Sequence, residues 1–144
     1  MHKDTFSYED YYHHLVKTVL SISRKGGVIV GRGANFILGP DRAFRIRITG
    51  SEEKCAERVA SREQIDTGAS TDLVRKVNSE RAKYIKKLYD ADIKDVAGYD
   101  LIINSDHYDQ EQMVEHILDE MKKAGYRLPE EAYDSLHLLA KSIK

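Results

Sequence analysis

The sequence predicts an α/β fold in which helices flank a parallel sheet in a three-layer arrangement. Three short apolar runs, at residues 28–30, 44–49 and 101–103, alternate with longer segments of helical periodicity. The first run stops at the Gly31–Gly33 turn, which is typical of a buried strand that ends beside a ligand. Because strands that alternate with helices favour a parallel sheet, we expect one domain over residues 1–144.

The first half of the chain predicts two helices, a helical turn and two strands. Ser7 can cap a helix that continues to about Arg24, after which the run Val28–Val30 predicts the first strand. The remaining elements are a helical turn at Phe36–Leu38, a strand at Phe44–Thr49 and a helix from Ser51 to about Ile65. Two arginines alternate with apolar residues in the second strand, so one face of that strand is expected to be polar.

The second half predicts a mobile loop, three helices and a third strand. The polar segment Gln64–Ser70 is the expected loop, and a long helix then runs from Thr71 to about Tyr89. The remaining elements are a strand at Leu101–Ile103, a helix that a capping box opens at Asp109 and that ends near Ala124, and a last helix from Pro129.

The composition excludes several classes of function. Hydrophobic residues make up 41% of the 144 positions, charged residues make up 33%, and the formal net charge is −1. No global charge therefore favours nucleic acid or a membrane surface as a partner. The single cysteine, Cys55, fits a reducing compartment, and no apolar signal segment opens the chain, so we expect a cytoplasmic protein. The six histidines lack metal-ligand spacing, so no metal site is expected.

Two features are candidates for an anion site. Arg32, between the glycines of the Gly31–Gly33 turn, supplies a forked and permanent charge where open α/β sheets bind anions. Residues 58–87 carry eight basic and four acidic side chains, and Arg58 and Arg62 share one helix face. A solvated charged face is the ordinary explanation of such a segment, and an anion site is the alternative.

Arg81 is the most unusual of these basic residues because of its position. It lies four residues from both Val77 and Ile85, within the apolar stripe of its predicted helix. A charged side chain there must reach solvent, pair with a carboxylate or point into a ligand cavity, and the sequence leaves these alternatives open.

Several familiar motifs are excluded. The Gly31–Gly33 turn lacks the third glycine of a dinucleotide fingerprint, and no Gly-x-x-x-x-Gly-Lys-Ser/Thr phosphate loop occurs. Asp100 and Asp106 bracket the third strand, where turn and cap residues are more common than catalytic acids. Tyr84 and Tyr89 flank basic residues without forming a stacking platform for single-stranded nucleic acid.

In their order along the chain, these features resemble the cytidylate kinase-like family of nucleoside monophosphate kinases. The resemblance covers about Tyr11 to Gly125. Its most specific part is the segment VIVGRGANFIL at residues 28–38, supported by the spaced basic residues Arg58, Arg62 and Arg81 and by the strand segment DLIINS at residues 100–105.

The resemblance implies a P-loop kinase fold and transfer of the γ-phosphoryl group of ATP to CMP or a similar nucleoside monophosphate. It implies a lid at about residues 60–90 and a helical extension at 126–144. The implied substrate-binding residues are Gly31, Arg32, Gly33, Asn35 and Arg58, and the implied catalytic residues are Arg62 and Arg81. ATP and Mg²⁺ are the cofactors expected if the activity is retained.

The chain departs from this family in one respect. The resemblance implies a strand, a glycine-rich phosphate loop and a helix ahead of the matched region, and the strand would lie between Val28–Val30 and Phe44–Thr49. No such loop occurs in these residues, so we expect a truncated version of the fold that is not catalytic alone and that forms a homo-oligomer. The alternatives are a non-catalytic nucleotide-binding or assembly protein and a piece of a longer kinase.

Overall fold

The computed structural model describes residues 7–126 as five α-helices and two β-strands joined by short turns. In chain order the elements are α1 (Tyr8–Lys25), α2 (Ala34–Ile37), β1 (Ile46–Thr49), α3 (Glu52–Glu63), α4 (Thr67–Tyr89), β2 (Leu101–Asn104) and α5 (Gln110–Lys123). Short 3₁₀ turns at Val96–Gly98 and Ser105–His107 flank β2. The predicted α/β class is confirmed in this part of the chain.

The sheet consists of β1 and β2, which pair in parallel from Ile46 opposite Leu101 to Thr49 opposite Asn104. The second predicted strand is confirmed but begins two residues later than expected. Ile46 and Leu101 pack with Val28 against the buried side chains of α5, so this helix covers one face of the sheet. On the opposite face Ile102 is 41% exposed.

The predicted strand at Val28–Val30 is wrong. This segment belongs to no strand, although Val28 packs in the same apolar cluster as Ile46. A strand requires a hydrogen-bonding neighbour, and β1 and β2 pair with each other in the only sheet among residues 7–126. Val30 is 59% exposed, whereas Val28 and Ile29 are half-buried, so only the last residue of this apolar run lies at the surface.

Helices α3 and α4 pack against each other around a core of Cys55, Ala56, Val59 and Val74. The predicted loop at Gln64–Ser70 is largely wrong, because α4 already begins at Thr67. The side chain of Asp66 caps α4 by accepting a hydrogen bond from the backbone of Ala69 at 2.8 Å. Ser70 is fully buried and donates to the carbonyl of Ala56 at 2.9 Å, which joins the first turn of α4 to α3.

Both ends of the described chain behave largely as predicted. Ser7 caps α1, with its hydroxyl accepting from the backbone of Asp10 at 3.2 Å. The capping box is confirmed, since Asp109 and Gln112 exchange hydrogen bonds of 2.8 and 2.9 Å at the start of α5. The predicted helix from Pro129 lies outside the described residues.

An ion pair fastens the beginning of β1 to the beginning of β2. The guanidinium of Arg45 donates to both oxygens of Asp100 at 3.1 and 3.2 Å, and the backbone N–H of Arg45 donates to the same carboxylate at 2.8 Å. These hydrogen bonds lower the pKa of Asp100 against the opposing effect of burial. Asp100 is thus a structural residue, as its position at the edge of the strand predicts.

We expect Asp100→Asn to lower the free energy of unfolding by about 1–3 kcal/mol at neutral pH, because a charge-assisted pair is lost. The native pKa of Asp100 is lower than its ordinary value of 3.8, so this contribution is present above that pH and disappears as the pH falls through the native pKa. Urea unfolding at several pH values measures it.

Asp90→Asn is the matched control, since Asp90 pairs with Lys86 at the surface and is 90% exposed. It should change the free energy of unfolding far less than Asp100→Asn does, because solvent screens an exposed ion pair. An equal loss of unfolding free energy in the two variants would show that the pairing of Asp100 with Arg45 stabilises the fold no more than a surface ion pair does.

Candidate functional site

The Gly31–Gly33 turn is a sharp left-handed bend between the Val28–Val30 segment and α2. Its three residues have φ angles of 81°, 59° and 71°. Glycine adopts this region freely, whereas Arg32 adopts it at a cost that the surroundings must offset. The turn closes with hydrogen bonds from Ala34 N to the Gly31 carbonyl at 3.3 Å and from Phe36 N to the Gly33 carbonyl at 2.8 Å.

The C-terminal half of α4 holds this turn in place. The hydroxyl of Tyr89 donates to the backbone carbonyl of Arg32 at 2.6 Å, and the Tyr89 ring stacks on Phe36 with 5.5 Å between centroids. Gly33 lies so close to Tyr89 and Ile85 that a methyl group in its place would overlap the Tyr89 ring. The bend is therefore fixed by packing, while the Arg32 side chain is exposed.

A pair of tyrosines joins α1 to α4, and the charge of Arg32 acts on one member of the pair, Tyr84. Tyr84 of α4 and Tyr11 of α1 share a hydrogen bond of 2.9 Å, and their rings meet edge to face with 6.3 Å between centroids. Burial raises the pKa of Tyr84 to about 12, and the hydrogen bond with Tyr11 adds to the rise. The charge of the Arg32 guanidinium opposes this rise.

Asn35, the fourth predicted site residue at the turn, has a structural contact. Its side-chain amide donates to the carbonyl of Gly98 at 3.1 Å, which ties α2 to the 3₁₀ turn before β2. Gly98 in turn lies against the ring of Phe36. Asn35 is half-buried, so this contact fixes the backbone that follows Arg32.

Arg58 lies at the carboxyl ends of both strands. It donates through Nη2 to Ser105 Oγ at 3.1 Å and to Cys55 Sγ at 3.3 Å, while its Nε is buried without a hydrogen-bond partner in the structure. Gly50 allows this approach, because a Cβ there would lie 2.7 Å from Ser105 Oγ. Parallel sheets bind their ligands at this edge, so the predicted role of Arg58 stays a prediction with a suitable location.

Asp106 organises the same edge of the sheet. Both of its carboxylate oxygens accept from the backbone N–H of Ser51 at 3.1 Å, at the start of α3. Hydrogen bonding to Ser51 lowers the pKa of Asp106 and outweighs desolvation, and the charge of Arg58 contributes to the lowering. The prediction of a cap residue agrees with this geometry.

Arg62 and Arg81 each have Asn78 as a neighbour. Arg62 pairs with Glu63 at 3.2 Å and lines, with Asn78, a cavity of about 30 Å³ between α3 and α4, which is room for about one water molecule. Arg81 donates to Asn78 Oδ1 at 3.2 Å but does not line this cavity.

The environment of Arg81 shows why a charged residue is tolerated in the apolar stripe of α4. Arg81 is exposed, and it lies between the part of α4 that packs against α3 around Val74 and the part that packs against the turn around Ile85. Of the three alternatives, the side chain reaches solvent, with Asn78 as its hydrogen-bond partner.

Sequence reasoning missed the contact of Tyr89 with the turn and the pairing of Tyr84 with Tyr11. From the sequence, Tyr84 belongs to the apolar stripe of its helix, Tyr84 and Tyr89 form no stacking platform for nucleic acid, and Tyr11 has no role. The available signal was the spacing of Tyr84, Ile85 and Tyr89 on one face of α4, which indicates a packing surface. That a glycine turn packs on this surface follows only from the fold.

The described part of the chain offers no other conventional site. Residues 7–126 contain no group of three or more histidine, cysteine or acidic side chains placed to bind a metal ion. None of the helices in this range combines the length and hydropathy needed to span a bilayer.

The geometry therefore describes an α/β domain in which a glycine turn presents an arginine near a long basic helix. A family model of the cytidylate kinase-like family matches residues 1–107. The chain belongs to this family.

Individual relatives agree with the family match. The chain is 27% identical to cytidylate kinase of Thermoplasma acidophilum over 125 residues, which are 83% of this chain and 66% of that enzyme. It is 31% identical to cytidylate kinase of Methanocaldococcus jannaschii over 112 residues, 72% of this chain and 62% of the relative. The chain thus spans about two thirds or less of the length of these relatives.

We expect Gly33→Ala to cost more stability than Gly31→Ala, although both positions have positive φ. Gly31→Ala places its methyl group in open space and should cost about 1 kcal/mol from backbone strain. Gly33→Ala adds overlap with Tyr89 and Ile85, so its total loss should be about 2–4 kcal/mol. Urea denaturation compares the two, and equal losses would contradict the packing of the turn on α4.

Proposed function

We propose that this chain binds a nucleoside monophosphate of the CMP type, with the phosphate at Arg32. The observation that carries the proposal is an exposed arginine on a left-handed turn whose backbone is fixed by Tyr89. A guanidinium donates two parallel hydrogen bonds to a phosphate, and a fixed backbone reduces the entropy lost on binding. The cytidylate kinase relatives support the nucleotide class.

We further propose that the basic residues of α3 and α4 form a lid at about residues 60–90. Arg81 is exposed in the middle of α4, the helix that also packs against the Arg32 turn. Arg62 lines the small cavity between α3 and α4. Phosphoryl transfer depends mainly on cations placed around the transferring group in a site that excludes water. Arg62 and Arg81 are suited to this role, and Arg58 at the strand ends completes the cationic set.

The described residues do not fit the ATP and Mg²⁺ half of such a site. The 144 positions contain no glycine-rich phosphate loop ending in Lys and Ser or Thr, and residues 7–126 offer no cluster of acidic ligands. We therefore propose that these residues by themselves bind the phosphoryl acceptor and do not catalyse the transfer. The three-layer, P-loop-like arrangement of the whole fold belongs to the same proposal.

Calorimetry with CMP and with cytidine tests the proposed site. The unmodified chain should bind CMP more tightly than cytidine, and Arg32→Ala should weaken CMP binding about 10- to 100-fold, because a charge-assisted contact with phosphate is lost. Cytidine binding should not change. Arg24→Ala, an exposed arginine at the end of α1, is the control and should bind CMP normally.

Two results would overturn the proposal. One is equal affinity of the unmodified chain for CMP and cytidine, and the other is an Arg32→Ala variant that binds CMP as tightly as the Arg24→Ala control. Turnover of CMP with ATP and Mg²⁺ by the chain alone would overturn the narrower statement that these residues do not catalyse transfer.

We also propose, as a second function, assembly into a homo-oligomer through the Val28–Val30 segment. This segment belongs to no strand among the described residues, and Val30 is 59% exposed. An apolar segment that pairs with no strand of its own chain favours association, and a net charge of −1 opposes it little. A second copy of the chain is the proposed occupant.

Sedimentation velocity tests the assembly. The unmodified chain should sediment as a dimer or larger species, and Val30→Lys should shift it toward monomer, because a desolvated lysine at the contact is unfavourable. Lys25→Ala, an exposed residue shortly before the segment, is the control. A monomeric unmodified chain at high concentration would exclude this function.

A further inference from the structure

We propose that Ser105 and Cys55 position Arg58 so that the free end of its guanidinium contacts a phosphate group at the carboxyl ends of the two strands. The inference rests on the proposed function, in which Arg58 belongs to the cationic set around the phosphate. It adds two neutral side chains as positioning residues, and Gly50 as the residue that leaves room for them. The sequence assigned none of these three residues to the site.

The first step of the argument is that two buried acceptors hold the same nitrogen of Arg58. Nη2 donates to Ser105 Oγ at 3.1 Å and to Cys55 Sγ at 3.3 Å. Ser105 follows β2 and Cys55 lies in α3, so the two acceptors come from different elements, and both are enclosed by packed neighbours. Because a guanidinium is planar, holding Nη2 between two partners also fixes the direction of Nη1.

The second step concerns the donors of Arg58 that remain. A guanidinium has five N–H protons and no acceptor. The two acceptors engage Nη2, and Nε is buried without a hydrogen-bond partner in the structure. Nη1 has no hydrogen-bond partner among residues 7–126 and is therefore the end of the guanidinium that a ligand can use.

The third step is that no carboxylate neutralises this cation. Arg58 is half-buried and forms no ion pair within the described part of the chain. Asp106 follows Ser105 directly, but both of its carboxylate oxygens accept from the backbone N–H of Ser51. Ser51 and Asn104 at this edge of the sheet are exposed. A half-buried cation without a paired anion is unfavourable, and a phosphate oxygen at Nη1 would offset this cost.

The fourth step is the space that Gly50 leaves at the end of β1. A Cβ at this position would lie 2.7 Å from Ser105 Oγ and 3.1 Å from both Arg58 Nη2 and Cys55 Sγ. A methyl group here would therefore push the three partners apart without removing any of them. This property makes Gly50→Ala a test of the geometry itself.

Pyrophosphate binding in an Arg32→Ala background tests the inference, because the phosphate contact of Arg32 is absent there. The Arg32→Ala chain should bind pyrophosphate, and adding Arg58→Ala should weaken binding about 10-fold or more, since a charge-assisted contact is lost. Adding Ser105→Ala instead should weaken it about 5- to 20-fold, as for loss of a hydrogen bond that orients a charged donor. Calorimetric titration measures each affinity.

Two controls match these variants. Ser23→Ala removes a half-buried hydroxyl that donates to a backbone carbonyl of α1, and it should leave pyrophosphate binding unchanged. Gly50→Ala should weaken pyrophosphate binding although it deletes no polar atom. Gly39→Ala should not, because its methyl group would meet only the end of one side chain.

Conservative replacement and a double-mutant cycle distinguish positioning from a general structural effect. Cys55→Ala should weaken pyrophosphate binding, and Cys55→Ser, which keeps an acceptor, should restore it. If Ser105 acts through Arg58, Ser105→Ala should have no further effect on pyrophosphate binding once Arg58→Ala is present.

Four outcomes would overturn the inference. These are an Arg32→Ala chain that does not bind pyrophosphate, unchanged binding after Arg58→Ala, Ser105→Ala and Gly50→Ala variants that both stay within twofold of their background, and a full effect of Ser105→Ala in the presence of Arg58→Ala. None of them bears on the preference of the unmodified chain for CMP over cytidine. Loss of that preference would instead remove the proposed function, and the role of Ser105 and Cys55 would fall with it.

Discussion

The close approach of Gly33 to α4 is the contact on which the candidate site depends. The backbone of Gly33 lies directly against the Tyr89 ring and Ile85, and no side chain larger than hydrogen fits there. This contact sets the position of the whole turn, because Arg32 precedes it and α2 starts immediately after it. A left-handed conformation at Arg32 is maintained because packing on one side and the Tyr89 hydrogen bond on the other determine the path of the backbone.

Helix α4 connects the parts of the chain that carry basic residues. Its first half packs on α3 through Val74, and its second half packs on the Gly31–Gly33 turn through Ile85 and Tyr89. Between these regions Val77 is half-buried and Arg81 is exposed. One helix therefore contacts both α3 and the turn that holds Arg32.

Local signals predicted much of the fold because caps and periodic apolar positions depend on near neighbours in the chain. Ser7, Asp109 and the third apolar run behave as the sequence indicates. The segment Val28–Val30 has the pattern of a buried strand but lacks a partner, and pairing is a property that a single segment does not encode. The sequence does not predict the start of α4 at Thr67, because Asp66 lies in a polar segment that is typical of a loop. In the structure Asp66 caps the helix, and burial of Ser70 against α3 favours helix from Thr67 onward.

The sequence predicted which cationic residues belong to the candidate site, but not how those residues are arranged in space. Sequence spacing selected Arg32, Arg58, Arg62 and Arg81 from their types and positions, but gave no information about which of them share a cleft. Tyr89, which holds the backbone of Arg32, comes from α4 and is far from the turn in sequence, so this contact is a tertiary property. Arg58 and Arg32 likewise lie in separate regions, since Arg58 bonds to Ser105 at the strand ends.

The energies of the present contacts indicate which cations would move when a phosphate binds. Arg62 pairs with Glu63, and their side chains are 37% and 51% exposed. Such surface pairs contribute about 0–1 kcal/mol to the free energy of unfolding. A hydrogen bond between a guanidinium and a phosphate contributes about 1.5–3 kcal/mol, which is enough to replace this partner. Arg81, bonded to the neutral Asn78 side chain at the surface, has an equally replaceable contact. Arg32 differs because buried packing fixes its backbone. A phosphate at the proposed site would therefore contact Arg32 at its present position, and Arg62 and Arg81 would move toward the phosphate from α3 and α4.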